Sequence, residues 1–441
     1  MKEKKDIRFF SVFIGATLGV VLEIISMLVD EIVVGNIFTD EAFASVNLIE
    51  PYTYIETFTA YLICVGGAAL IVRAQGAGDR KRMNDLFSQT MILCGLCGIG
   101  LTLIYVLFTP QLVRLVADDP SVYENALNYF KAMRFYPLVD MFDTFMFAYV
   151  LYRGGYVQFY IAIFFRIVIN VVLSYLLGSA MGLMGIGIAS IVSLVFALMV
   201  KLTFLLTKKH GLKFRWYLNA RDAGIIFRLG LPESALSLFI VIMEMAVNNF
   251  TLKNYAAAGV AAVAVVINIF EFVLYLSEGI SEYEIVAVNT SIGRNSSKSM
   301  DRAIKVTLRA AVIEGLIFIG LILLAADVLP EAFDIDNAET ARLAAVMLRT
   351  LAPTAIFICL SRVTDIFYQY TRRIPRTLVL FGMAIAALPT AFGMLFGQFA
   401  IEGIAFGISL GPVVAIALMY GYVRVIKKEK LFDYSLMQLK S

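Results

Sequence analysis

One histidine and four cysteines in 441 residues leave little room for imidazole or thiol catalysis, and charged residues make up only 16% of the chain. All four cysteines fall in apolar runs, so they give no disulfide framework, and a single histidine gives no metal cluster. No polar stretch is long enough, or alternates regularly enough, to build a separate soluble domain. Ordinary soluble domains are about half apolar and about a quarter charged. Here 60% of the residues are hydrophobic and the mean hydropathy is +0.82. What is present is a succession of apolar runs, and the chain reads as an all-α integral membrane protein.

A hydrocarbon core of ~30 Å takes ~20 mostly apolar residues per helix. About twelve such runs recur, centred near Gly19, Ala60, Gly98, Phe142, Val168, Leu194, Ile240, Leu274, Phe318, Ile356, Ala386 and Val413. The first carries Glu23 and Asp30 and lacks a small-residue cleavage site, which predicts a retained helix and not a signal peptide. Basic residues cluster before it (Lys2, Lys4, Lys5, Arg8) and then between spans of one parity: Arg73 to Arg82, Lys208 to Arg221, Arg294 to Arg302, and Arg372 to Arg376. The intervening connections, such as Ala117 to Asp119 and Asp327 to Glu339, are acidic. By the positive-inside rule both termini are cytoplasmic, in a multi-pass protein of the cell (plasma or inner) membrane.

The second half echoes the first when slid by about 215 to 220 residues. Met184-Gly185-Ile186 answers to Glu402-Gly403-Ile404, Arg134-Phe-Tyr-Pro137 to Arg349-Thr-Leu-Ala-Pro353, and Arg153 to Arg372. The expectation is two pseudo-symmetric six-helix lobes, 1–207 and 223–441, joined by a cytoplasmic linker, 208–222. Six is even, so both lobes enter from the same side and the repeat is parallel.

Ionisable groups at membrane depth are costly and usually face a cavity or a partner. Asp30 lies seven residues after Glu23, on one helix face. Glu271, Glu278 and Glu282 form a stripe on the eighth run; Glu50 and Glu56, Asp140 and Asp143, Glu233 and Glu244, and Arg362 with Asp365 lie on others. Acids outnumber bases, which favours cationic ligands. Glu271, Glu278, Glu244, Glu56 and Asp143 are therefore candidate contacts for cargo. An acid near a span end, such as Glu233 or Glu284, has the simpler option of the headgroups, and Arg362 with Asp365, three apart, of a structural ion pair.

Val29-Asp-Glu-Ile-Val-Val-Gly35, followed by Phe43-Ala-Ser-Val-Asn47, resembles the opening of the multidrug and toxic compound extrusion (MATE) transporters. The likeness continues through Gly66-Gly-Ala-Ala-Leu-Ile-Val-Arg-Ala-Gln-Gly-Ala-Gly78, Arg166-Ile-Val-Ile-Asn-Val-Val-Leu-Ser174, Gly185-Ile-Gly-Ile-Ala-Ser190 and Gly230-Leu-Pro232, and points to the bacterial DinF/MepA-like branch. The resemblance implies a twelve-helix antiporter that expels bulky organic cations by alternating access, against inward flow of Na⁺ or H⁺. It also implies a coupling-cation site with its carboxylate at Asp30, its amide at Asn170 and its hydroxyl at Ser190. A second family acid falls on Ser174, a departure that leaves one carboxylate. Na⁺ is a hard cation served by oxygen, so Asp30, Asn170, Ser174 and Ser190 make a chemically coherent set; for H⁺, a buried Asp30 would carry the proton. For Asn170 and Ser190, interhelical hydrogen bonding is the plainer alternative. The expected partners are a small organic, cationic substrate and the lipid bilayer, with no nucleic acid, no cofactor beyond the coupling ion and a monomeric chain.

The remaining motifs are weak. Cys94-Gly-Leu-Cys97 has redox spacing but lies in an apolar run, and Gly76-Ala-Gly-Asp-Arg-Lys-Arg82 lacks the Walker pattern. His210 sits among lysines in the linker, so an intramembrane enzyme has no base. A flippase for lipid-linked oligosaccharides would want a basic cavity, and the acids argue against it.

Overall fold

Backbone in lipid must satisfy every N–H and C=O internally, which leaves helices as the answer for an apolar chain without alternating strands. The computed structural model describes residues 9–38, 40–117, 119–206, 212–333, 335, 337–371 and 373–434, with backbone only at 22–32, 35–37, 40, 41, 43, 44, 121 and 256–258. The basic residues up to Arg8, Asp118, Lys208, Lys209, His210, Arg372 and the side chains of Glu23 and Asp30 lie outside the described residues.

The helices in chain order are α1 (Phe9–Ile37), α2 (Glu50–Ala77), α3 (Arg80–Val116), α4 (Pro120–Met133), α5 (Tyr136–Tyr152), α6 (Tyr156–Met181) and α7 (Leu183–Leu202). They continue with α8 (Ala220–Tyr255), α9 (Gly259–Gly293), α10 (Ser297–Ala325), α11 (Ala338–Leu351), α12 (Thr354–Tyr370), α13 (Ile374–Phe396) and α14 (Glu402–Ile426). Among the described residues nine helices are long and apolar enough to cross a membrane, or ten when α11 and α12, bent by 47°, count as one broken span. Helix α1, and α4 with α5, supply the rest of the twelve runs, and each expected centre falls inside a helix. Helical hydrogen bonding runs on over 57 residues from Ala220 to Leu276. At 1.5 Å per residue that is about 85 Å, nearly three hydrocarbon thicknesses, so it holds one whole crossing and the start of another.

The sequence echoes have a structural meaning. Arg134-Phe-Tyr-Pro137 and Arg349-Thr-Leu-Ala-Pro353 are the breaks between α4 and α5 and between α11 and α12. Proline lacks the N–H that would continue a helix, so each span is interrupted at the corresponding place. Gly185 and Gly403 are equivalent too. A Cβ on Gly185 would overlap the Leu177 carbonyl where α7 packs against α6, and one on Gly403 would overlap the Phe396 carbonyl where α14 packs against α13. Only glycine lets the two backbones of each hairpin come so close.

The chain divides into two compact units, Met1–Ser234 and Ala235–Ser441. The first therefore includes the opening turns of α8, beyond the linker expected at 208–222. Two contacts hold them there. Gly66 of α2 and Gly230 of α8 lie back to back, each with the other helix's carbonyl where a Cβ would stand. Arg82 at the start of α3 also makes a bidentate pair with Asp222, at 2.6 and 2.7 Å. In the first unit α6 packs on α7 and α1 on α6, while α2 packs against α3 and α5. In the second, α13 packs on α14, and α10 against α12 and α9.

Candidate functional site

The apolar stretch of α6 is interrupted by Asn170 and, one turn later, Ser174; both are buried. Helix α7 brings Ser190 alongside, and the Asn170 amide donates from Nδ2 to Ser190 Oγ at 3.4 Å. Ser190 in turn donates to the Ile186 carbonyl at 3.2 Å, and Ser193 donates to the Ser190 carbonyl at 2.9 Å. The amide is thereby oriented, and its other end, Asn170 Oδ1, is buried with no hydrogen bond. An unsatisfied buried carbonyl oxygen is costly, at ~1 to 3 kcal/mol. Asn170 and Ser190, from neighbouring spans, are thus brought together, with Ser174 one turn from Asn170 on α6. Asp30 belongs to α1, which packs on α6; its side chain lies outside the described residues.

The candidate cargo acids separate into two kinds. Glu244, Glu271 and Glu278 are half-buried. The stripe of Glu271 and Glu278 passes through a turn at Ser277, where the Ser277 N–H still reaches the Val273 carbonyl but the next bond is from Ile280 to Ser277. Glu56 and Asp143 are buried. Glu56 on α2 has Oε2 without a hydrogen bond and feels the charge of Asp140 on α5 and the hydroxyl of Tyr105 on α3. Asp143 is held by Lys201 Nζ at 2.7 Å, and the ammonium also lies 5.5 Å from the Phe147 ring centre. A base already matches its charge.

Lys201 escapes the sequence reading. The signal that could have found it is a lone cation with apolar residues on both sides, in Leu198-Met-Val-Lys-Leu202. Glu284 needs a correction: it is 0% exposed and cannot sit at headgroups, because α9 turns it inward. Neither of its carboxyl oxygens has a hydrogen bond, with Thr307 of α10 and Arg362 of α12 as the polar neighbours that act on it. Glu233 is also buried. The Arg362 guanidinium stacks 5.2 Å from the Phe381 ring centre. Glu284, Arg362 and Asp365 are thus buried ionisable groups of the second unit, while Glu233 belongs to the first.

Two units of broken and continuous spans, each with buried carboxylates and amides at membrane depth, define a multi-pass membrane transporter. The MatE family model matches residues 16–176 and 234–395, well over half the chain, and the chain belongs to that family. Its members are transporters and not enzymes. The chain is similar to the probable multidrug resistance protein YoeA of Bacillus subtilis, with 25% identity over 429 residues, 93% of this chain and 91% of that protein. A solved outward-facing multidrug resistance MATE transporter of the MOP superfamily superposes with a TM-score of 0.85 at 19% identity, over 98% of this chain and 96% of that one. A MOP superfamily transporter from Pyrococcus furiosus, whose binding pocket has a reversed polarity suggesting a different function, gives 0.85 at 18% identity over the same shares. The likeness to these structures carries the fold, twelve transmembrane helices in two lobes.

Proposed function

We propose that this multidrug-type transporter is a secondary antiporter of the DinF/MepA-like branch, expelling bulky organic cations in exchange for Na⁺ or H⁺. The observation that supports it is the buried, unbonded Asn170 Oδ1 beside Ser174 and Ser190. An oxygen kept dry and oriented, without a donor, suits a cation that comes and goes. Asp30 is the carboxylate of this site in our reading, and its single negative charge balances one monovalent ion. Either Na⁺ coordination or protonation of Asp30 gives the two states that alternating access requires. Loop charge parity supports cytoplasmic termini. The half-buried Glu244, Glu271 and Glu278 are the cargo contacts we favour, with Glu56 and Asp143 as less direct members of that set. The chain works as a monomer, and no nucleic acid takes part.

Efflux of a fluorescent organic cation from proteoliposomes, under a Na⁺ gradient and a pH gradient imposed separately, tests this directly. Wild type is expected to respond to one gradient and Asp30→Asn to neither. Transport by Asp30→Asn at the wild-type rate removes Asp30 from coupling; no cation movement in wild type under either gradient removes the antiport reading.

A further inference from the structure

The linker between α7 and α8 is not a loose tether where it is described. Residues 212–219 form neither helix nor strand, and α3 grips their backbone with three side chains. Asn84 Oδ1 accepts the Lys213 N–H at 2.9 Å, Ser88 Oγ the Arg215 N–H at 2.8 Å, and Gln89 Oε1 the Asn219 N–H at 2.7 Å. The far end is fixed by the Arg82 and Asp222 pair, to which Tyr217 donates at 2.7 Å. Successive side chains of an extended segment point to opposite faces. The Lys213 and Arg215 N–H groups, two residues apart, both turn to α3, the alternation of such a segment, which sets Phe214, Trp216 and Leu218 on the face opposite to Lys213 and Arg215.

That apolar face is bare. Phe214 is 55%, Trp216 85% and Leu218 57% exposed. Lys213 and Arg215 are exposed as well, and so are Arg80, Lys81 and Arg221 around the strap. Depth follows from α3, whose 37 residues span about 55 Å, far more than the hydrocarbon. Its apolar crossing opens at Met91, so Asn84 and Gln89 stand seven and two residues before it, about 10 and 3 Å along the axis. A headgroup layer is roughly 5 to 8 Å deep. The strap is thus held from within the headgroup layer, at Gln89, to its outer edge, at Asn84.

We propose that this strap is a membrane-surface anchor, with Phe214, Trp216 and Leu218 dipping into the boundary between headgroups and acyl chains and Lys213 and Arg215 meeting anionic headgroups. Aromatic rings favour that layer, and basic residues beside it are drawn to anionic lipid. The partner is a bilayer surface containing acidic phospholipid. The anchor stands apart from the ion and cargo sites, so its test does not depend on transport.

Trp216 is the only tryptophan of the chain, which makes the intact protein its own probe. The full chain is reconstituted in phosphatidylcholine vesicles, with and without phosphatidylglycerol, and with lipid brominated near the headgroup end of the acyl chains. Brominated lipid is expected to quench the emission about twofold, more with acidic lipid, while aqueous acrylamide does little. Moving the probe tests the alternation. Trp216→Phe with Leu218→Trp should keep lipid quenching, whereas Trp216→Phe with Lys213→Trp should exchange it for acrylamide quenching. Lys213→Gln with Arg215→Gln should abolish the gain from acidic lipid. Acrylamide quenching of Trp216 as strong as that of a short tryptophan peptide overturns the proposal. Resistance to both quenchers overturns it too, and shows that protein covers the face.

Discussion

Breaking the buried pair of Lys201 and Asp143 is expected to be among the more damaging changes in the first unit. Both residues are almost fully buried and their charged atoms are 2.7 Å apart. Lys201→Met keeps the length of the stem, so little cavity opens, and the cost is that of leaving Asp143 charged and unmatched. For buried pairs that cost is ~3 to 5 kcal/mol, since the survivor keeps its desolvation penalty without its partner. Loss of the ammonium from the Phe147 ring adds up to ~2 kcal/mol. The double variant Lys201→Met with Asp143→Leu removes both charges and is expected to return close to wild type, because well-packed apolar replacements of buried pairs are often neutral. Denaturant unfolding in detergent micelles, read as a double-mutant cycle, measures the coupling. A single-variant cost below ~1 kcal/mol, the range of an exposed pair, refutes the reasoning. So does additivity of the two changes. Cargo affinity separates the roles: a stable double variant that loses dye affinity restores Asp143 as a cargo contact.

Asn170→Ala is expected to raise the half-saturating concentration of the coupling cation about tenfold, one charge-assisted ligand being worth ~1.5 kcal/mol, and an unchanged ion dependence of efflux counts against the site. Glu284→Met removes a buried carboxyl whose oxygens have no hydrogen bond, and is expected to stabilise by ~1 kcal/mol or more; a lowered unfolding midpoint shows that the carboxyl is held after all. Gly403→Ala and Gly185→Ala place a methyl on a backbone carbonyl and should reduce folded yield and midpoint, while Gly224→Ala, with nothing within 4 Å of a Cβ, should not. The Arg376 side chain hydrogen-bonds Glu429 at 2.8 Å and holds its carboxyl below the usual range. A depressed carboxylate stabilises above its unfolded pKa and loses that contribution as pH falls through the folded value. Residues 427–434, tied down further by Tyr368 donating to the Leu431 carbonyl and Arg373 to Asp433, should therefore stay docked below the ordinary glutamate range and release in more acidic solution. Hydrogen exchange of that tail checks this, and Arg376→Gln should move its release to higher pH.

The spans were legible because lipid imposes a single solution on an apolar chain. Twenty-residue hydropathy and loop charge are enough to place twelve helices, and even the breaks at Pro137 and Pro353 stand in the sequence as an Arg followed three or four residues later by a Pro. Asn170, Ser174 and Ser190 came from the resemblance to the family and not from the pattern of the chain, in which a polar residue in an apolar helix reads equally well as an interhelical hydrogen bond. Two things were not legible. The linker at 208–222 reads as a basic tether, and nothing in its composition says that Asn84, Ser88 and Gln89 on α3 would take its N–H groups, since that depends on how α3 faces it. The depth of an acid is the other. Glu282 and Glu284 stand two residues apart in the same helix, yet Glu284 is sealed and Glu282 only half-buried.

How a buried acid is matched also bears on the ion site proposed for the first unit, which has one carboxylate fewer than the family it resembles. A sealed acid must be matched by a base or carried neutral, as the desolvation cost of a lone charge is several kcal/mol. Asp143 takes the first course through Lys201, which removes it as a stand-in for the acid replaced at Ser174. Glu56 has no such base; its Oε2 is unbonded and its nearest charge is another acid, Asp140. In the site proposed above, the charge offered to a monovalent cation is that of Asp30. A site of that proposed kind, one unit of charge with neutral oxygens around it, would hold its ion less tightly than a two-carboxylate site and release it more readily on each cycle.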